Sequence, residues 1–534
     1  LGNKIDWHKD YKTGFTWPCI FFKKIEYTNL DQSSDVKFPW ELSRLQWLLP
    51  VGQAYILTGD DRYAEFARKI IKSWKFANPY AHGINWASTM EVALRIVTLT
   101  WLFKVFGKSP AWSAGNFRCD VLIEIFLHAH FTRRHLERSA VNGNHYTSNA
   151  VGLVFAGEFF ARRQVAGKWA DYGWSILNRE ISLQTHSDGV NFEASVSYHR
   201  LVAELFFFAA RYRSIGGFDV SARYRNFLLK ISDFCEAYIS PDGMSPNWGD
   251  ADNARVLPFG GQDIQDHRYL PELIRSQLES RGYRLSESAS DTELIWCFGS
   301  SLRDHNKVSF DDNRSVAFRD GGVYVMCHKK NKVFIDCGPV GLAGRGGHGH
   351  NDCLSFELWL LGNKIVVDSG TYVYTACPRE RNKFRSTSAH NTPQIDGEEI
   401  NHFPNDGSLW SLGDDAKPQL IQWQSYEAFD VFEGCHFGYD RLKNPASVVR
   451  KITLNKEQPC FRLTDNFESR SIHEIIERFH LAPGIEILDR KDESFIFKSE
   501  DDVSYECLLQ SSAAVWNFDI ELSRYSPSYG VVEE

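Results

Sequence analysis

Residues 300–313 read SSLRDHNKVSFDDN, a polar stretch without periodicity, and the chain changes character across it. Upstream, apolar residues recur at helical spacing. Leu42, Leu45, Leu48 and Leu49 do so within 41–58, and Tyr63, Phe66, Ile70 and Trp74 within 61–76. The pattern continues over 88–106, 120–136, 146–162, 171–185, 195–214, 222–238, 262–281 and 291–298. Pro79, Gly107, Pro110, Gly167, Gly189, Gly216 and Pro241 separate most of these segments. No fixed-period repeat links them, so paired antiparallel helices closing into a ring fit better than a stacked superhelix. Downstream the runs are short and rich in β-branched and aromatic residues. They lie at 315–318, 323–327 and 333–336, then 354–361 and 364–368 across Gly362-Asn363, then 448–454, 460–466, 475–481, 494–498 and 503–508. The expected architecture is α+β: a helical toroid over 1–305, then an antiparallel β-sandwich over 306–534.

Composition excludes several classes. Hydrophobic residues make up 43% and charged residues 24% of 534, an ordinary globular balance. No apolar run is long enough for a transmembrane helix; 201–210 is the richest stretch and carries Glu204. A net charge of −8 argues against a general nucleic-acid binder and restricts any anionic ligand to a local basic cleft. The 16 Trp suit carbohydrate stacking and a large core equally. The 11 Cys are scattered without a CxxC pair, so most are expected as buried thiols, with one or two bridges at most. Residues 1–10 carry no basic segment followed by an apolar one, so any targeting segment was removed or never existed.

Three segments concentrate polar chemistry. Gly143-Asn144-His145-Tyr146 leads into the apolar run 150–155, where Asn144 reads either as a helix N-cap or as a functional donor. The stretch 191–200, NFEASVSYHR, places Tyr198 and His199 in the first turns of a helix. Gly344-Arg345-Gly346-Gly347-His348-Gly349-His350-Asn351-Asp352 is a glycine-rich loop bearing two histidines ahead of a strand. With Asp368 and His390 this half holds a His, Asp and His set that reads either as metal ligands or as a hydrogen-bonded cluster. Arg345, Arg379, Arg381, Lys383 and Arg385 make the same region locally basic.

The run His348-Gly-His350-Asn-Asp352-Cys-Leu-Ser-Phe-Glu-Leu, then Val367-Asp368-Ser-Gly370-Thr-Tyr372, then Arg385-Ser-Thr-Ser-Ala-His390-Asn391-Thr392, resembles the heparinase II/III-like family. Asn144-His145, Tyr198-His199, Trp40 to Arg44, Asn85-Trp86 with Glu91 and Arg95, and Gly249-Asp250-Ala-Asp252 resemble that family's helical signatures in the same order. One departure is local: Asn253-Ala254-Arg255 follows Asp252, where the family pattern leads one to expect a glycine near the arginine. The resemblance implies an incomplete (α/α) toroid with a β-sandwich, and lyase activity on uronate-containing polysaccharide. It implies catalytic roles for Asn144, His145, Tyr198 and His348. Substrate contacts are expected from Asn85, Trp86, Glu91, Arg95, Glu193, His199, Trp248, Arg345 and Arg385. A structural divalent metal, zinc as the expected ion, would sit on His350, Asp368 and His390, with no organic cofactor.

Such a lyase removes the C5 proton of a 4-linked uronate and expels the C4 oxygen. The neighbouring carboxylate makes that proton a poor acid, so a donor must neutralise it; the Asn144 amide donates without titrating. Tyr198 can serve both proton steps when proton and leaving oxygen share a face, given cationic help from His348, Arg345 or Arg385. When they lie on opposite faces, His145 or His348 must be the base. A glycosaminoglycan of the hyaluronan, chondroitin or heparin type is the expected polymer, with alginate or another polyuronate as the alternative. Its size places the encounter in the periplasm or outside the cell. A glycoside hydrolase using Glu91 and Glu193, or a glycan-binding protein on the same fold, are the rival readings.

Overall fold

The computed structural model describes residues 5–29, 31–32, 34–278, 289–299, 314–491, 493–513 and 516–534. The expected boundary at 305/306 lies outside the described residues. The helical half comprises α1 (Lys37–Ser43), α2 (Leu49–Thr58), α3 (Asp61–Ala77), α4 (Thr89–Phe106), α5 (Pro110–Ser113) and α6 (Phe117–Arg134). It continues through α7 (Asn144–Phe159), α8 (Val165–Glu180), α9 (Val196–Ile215), α10 (Ala222–Tyr238), α11 (Tyr269–Leu278) and α12 (Ala289–Phe298). Helices α4, α7 and α9 are buried on nearly every side, polar residues such as Arg95, Asn149 and Glu204 included. Gly152 lets α7 close on α4, because a Cβ there would stand 2.8 Å from that of Ala93. The helices pair into an incomplete (α/α) toroid.

The second half is antiparallel throughout. Strands β1 (Val316–Phe318), β2 (Val323–His328), β3 (Asn331–Asp336), β4 (Phe356–Leu360) and β5 (Asn363–Val366) form one sheet in sequence order. Helix α13 (Pro378–Phe384) and β6 (Gln394–Ile395) follow. A second sheet runs in the order β10 (Phe461–Ser469), β9 (Ala446–Asn455), β8 (Phe429–His436), β7 (Gln419–Ser425). Strand β11 (Ile475–Ile476) pairs with β6, and β12 (Glu486–Lys491), β13 (Ser494–Lys498) and β14 (Ser504–Leu508) form a small third sheet.

The first sheet is buried on both faces, and the two-residue period of a strand sorts its side chains. Val323, Val325, Phe334 and Trp359 enter the core of the toroid. Tyr324, Met326, Val333, Ile335 and Leu358 enter the sandwich core with Phe432, Val448 and Ile452. Phe318 meets Phe234 of α10, and Phe334 meets Trp248, so one sheet fastens the two halves together. The polar loops between the halves are thereby fixed beside the first turn of α9. No disulfide bridge is seen among the described residues, and Cys235, Cys337, Cys353 and Cys435 are buried thiols, as expected for most of the cysteines.

Candidate active site

Ser195 caps α9: its Oγ accepts from the Tyr198 N–H (3.2 Å) and donates to the Asp250 carbonyl (2.6 Å). Tyr198 is therefore held in the first turn, beside the loop of Trp248 to Asp252. Gly249 has φ +66°, and a Cβ there would stand 2.2 Å from the Ala194 carbonyl oxygen and 3.0 Å from that of His348. Only glycine lets this loop pass between α9 and the histidine loop. The Asp250 N–H then donates to the His348 carbonyl (2.9 Å).

The rings of Tyr198 and His348 stack, with centroids 3.6 Å apart and planes inclined by 20°. The phenol donates to Asp252 Oδ2 (3.0 Å) and lies 3.4 Å from the Tyr374 hydroxyl, which donates to the Ala251 carbonyl (3.2 Å). Burial, then the Asp252 charge, pushes the Tyr198 phenol well above its ordinary value. Burial opposes charge on Asp252 too, but Lys37 at 3.0 Å and Arg44 outweigh it and hold that carboxyl at about 2. The resting pair is thus a neutral phenol beside an ionised carboxylate.

Gly143, not Asn144, occupies the N-cap position of α7, and the Asn144 side chain makes no capping bond. Its Nδ2 donates to Glu193 Oε2 (2.8 Å) and its backbone N–H to Glu193 Oε1 (2.7 Å). The second Nδ2 hydrogen remains for another acceptor. Glu193 Oε2 also lies 3.5 Å from His348 Nε2, so Asn144, Glu193, His348 and Tyr198 form one continuous cluster. His145 turns the other way, its Nδ1 3.1 Å from Glu137, with 48% of the side chain exposed. Burial of the pair opposes charge, but Glu137 outweighs it and lifts His145 to about 9, so this ring is a cation at neutral pH and not a ready base.

Several residues expected at the substrate are engaged within the protein instead. Asn85 donates to the Trp7 carbonyl and to Asn78, and Trp86 packs between His128 and Phe131. Arg95 donates to His128 and lies over the Trp74 ring. Both Glu91 oxygens accept from Arg44 at 2.8 Å, in a buried ion pair. His199 is buried against the Ile231 carbonyl and lowered to about 4 by burial, and Trp248 is core. Arg385 is clamped by the carbonyls of Ser408, Leu409 and Ser411. All seven side chains are buried. Arg345 and Arg379 are exposed.

From sequence, Tyr374, Asp250 and Trp410 carry no role of their own, and Arg381 counts in the basic run expected to face the substrate, whereas Arg381 is buried. Asp250 receives His348 Nδ1 (3.0 Å), His350 Nε2 (2.9 Å) and both terminal nitrogens of Arg381. Burial opposes its charge, yet Arg381 and the two rings hold it well below the usual carboxylate range. Trp410 packs edge-on to His348 (5.9 Å) and Tyr374 (4.8 Å), and Arg381 lies 5.4 Å from its ring.

Residues 1–258 match the family model described as Heparinase II/III N-terminus, and residues 311–534 match Heparinase II/III-like, C-terminal. The chain belongs to the heparinase II/III family. A heparin-sulfate lyase of Bacteroides stercoris is 25% identical over 424 residues, covering 74% of this chain and 59% of that protein. One of Bacteroides thetaiotaomicron is 30% identical over 484 residues, covering 86% and 63%. This member thus spans less than two thirds of either relative. A crystal structure of heparinase III superposes with a TM-score of 0.73 over 99% of this chain and 79% of that one, at 18% identity. The heparan sulfate lyase of Pedobacter heparinus gives 0.61 over 96% and 74%, at 21% identity. Within this heparinase II/III fold, His350, Asp368 and His390 are buried and offer ligand atoms within 4.8 Å of one another. His350 Nδ1 and His390 Nε2 are buried without partners, as is Oδ2 of the neighbouring Asp352. Such atoms cost about 1–3 kcal/mol each when left unpaired, so the donor set fits a divalent cation. Asp368 Oδ2 lies 2.6 Å from His390 Nδ1, the nitrogen turned away from such an ion.

Proposed function

We propose that this chain is a polysaccharide lyase that cleaves a uronate-containing glycosaminoglycan of the heparan type by β-elimination. The observation that carries the reading is the cluster of Asn144, Tyr198 and His348 at the junction of the two halves. The heparin-sulfate lyase activity named for its relatives supports it.

The free N–H of Asn144 binds the uronate carboxylate and stabilises the charge that develops as the C5 proton leaves. Tyr198 and His348 stack, so both act from one face of the sugar, the case in which proton and leaving oxygen share a face, and there His348 takes the C5 proton on Nε2. Tyr198, which starts as a neutral phenol, passes its proton to the C4 oxygen as that bond breaks. The reverse assignment needs a tyrosinate, and Asp252, held near about 2, is a poor acceptor for the phenolic proton. His145 acts as a fixed cation, and Arg345 attracts the acidic polymer. His350, Asp368 and His390 hold a divalent ion, zinc by their chemistry, whose service is to fix the loop that carries His348. The polymer's size places the encounter in the periplasm or outside the cell.

Incubation with heparan sulfate, heparosan, hyaluronan, chondroitin and alginate, followed by the ultraviolet absorbance of an unsaturated uronate, tests the reading. Absorbance rising on a heparan-type chain is expected. No rise on any member of the panel overturns it.

A further inference from the structure

Asp250 is contributed by the helical half, while the three side chains on its carboxylate come from the sandwich half. His348 and Arg381 share one oxygen; His350 and Arg381 share the other. Asp250, His350 and Arg381 are buried, and Asp250 is also tied through its backbone, to His348 by its N–H and to Ser195 by its carbonyl. A carboxylate accepts and does not donate, so each ring must present an N–H to it. His348 must therefore carry its proton on Nδ1, and His350 on Nε2. The nitrogens left without a hydrogen bond are His348 Nε2, which stands off Glu193 Oε2 at 3.5 Å, and His350 Nδ1, which faces the His390 and Asp368 pocket without a partner.

We infer that Asp250 is a positioning residue that sets the opposite tautomers of His348 and His350 together, and so couples the metal pocket of the sandwich to the proton-transfer ring of the cleft. Each ring alone has two equivalent choices. Only the arrangement around Asp250 makes one a base toward the substrate and the other a ligand toward the metal. Arg381 supplies the charge that lets a buried carboxylate hold both. The catalytic half of this inference rests on the lyase reading; the tautomer and metal halves do not.

The test uses the full chain and its Asp250→Asn variant. Ring nitrogen shifts in ¹⁵N-histidine protein, assigned with His348→Gln and His350→Gln, should show Nδ1–H for His348 and Nε2–H for His350 in the wild type. The variant's affinity for Zn²⁺, measured by chelator competition, should fall about 10–100-fold. Its kcat on heparan sulfate should fall at least about 100-fold with KM little changed, a split that general loosening of the fold would not give. The same tautomer on both rings, no Zn²⁺ binding by the wild type, or wild-type Zn²⁺ affinity in the variant would each overturn the inference. If Asp250→Asn does not fold, the wild-type tautomers alone decide it. A wild type that binds Zn²⁺ with the expected tautomers but cleaves no uronate polymer would sink the lyase reading and leave the coupling intact.

Discussion

The His348 ring lies flat on the Tyr198 ring, 3.6 Å between centroids, although 149 residues and the junction between two halves separate them in sequence. The stack sets a proton acceptor and a proton donor side by side, with the phenol fixed by Asp252 and the imidazole by Asp250. Tyr198→Phe keeps the stacking surface and removes only the hydroxyl. Its turnover should fall to near the background rate while its circular dichroism and melting temperature stay close to wild type. Retention of wild-type kcat would remove Tyr198 as the acid.

Asn144→Ala should lower kcat about 10²–10³-fold, the loss expected for one donor on a developing oxyanion. It also strips Glu193 of a buried donor, so a stability loss of about 1–3 kcal/mol accompanies it. Thermal melts and kinetics on the same sample separate the two effects. Normal turnover per folded molecule would contradict the catalytic role.

Protein purified without chelator should contain about one zinc per chain. Prolonged chelation should lower its melting temperature by several degrees, and added Zn²⁺ should restore it, because binding free energy at a preformed site adds to folding free energy. No stoichiometric metal together with an unchanged melt would refute the metal assignment.

The His145–Glu137 pair gives a signed pH dependence. The folded pKa of His145, about 9, lies above the unfolded value of about 6.5. The pair's contribution is therefore complete below about pH 6.5 and disappears as pH rises through about 9. With nearly half of the side chain exposed, it is worth less than about 1 kcal/mol. His145→Gln should lower the melting temperature at pH 6 and leave it unchanged near about pH 10.5. Equal losses at both pH values would contradict the ion pair.

Raising salt from about 50 to about 500 mM should increase KM on the acidic polymer more than it changes kcat, since exposed charges such as Arg345 act over a Debye length of about 10 Å or less. A KM constant over that range would contradict charge-led capture.

The helices were largely legible because their buried stripes repeat at helical spacing between Gly and Pro breaks; 222–238 coincides with α10. The strands were less so. Strands β7 and β8 carry Gln, Glu, Asp and Ser among their apolar residues, so no clean alternation announces them. The run 475–481 forms a two-residue strand at Ile475–Ile476 and a single antiparallel bridge from Leu481 to Val366. At the site, the histidines stood out because glycine-rich loops rarely carry two, whereas Asp250 shows its importance only through partners about 100 residues and more away. Arg381 and Arg385 illustrate the opposite error. Sequence clustering marks them as cations but not their direction, and one helical turn apart on and just after α13 both point into the protein. The residue type of Asn144 suits both a cap and a donor; Gly143 takes the cap position, and the Asn144 amide donates to Glu193.

Mass spectrometry of the ends formed from size-defined heparan sulfate oligosaccharides tests the central claim most directly. β-Elimination through Asn144, Tyr198 and His348 predicts fragments whose summed mass equals that of the starting chain, with a double bond in the new non-reducing uronate and no added water. Fragments that together have gained one water, with a saturated uronate end, would mean hydrolysis and would contradict the account.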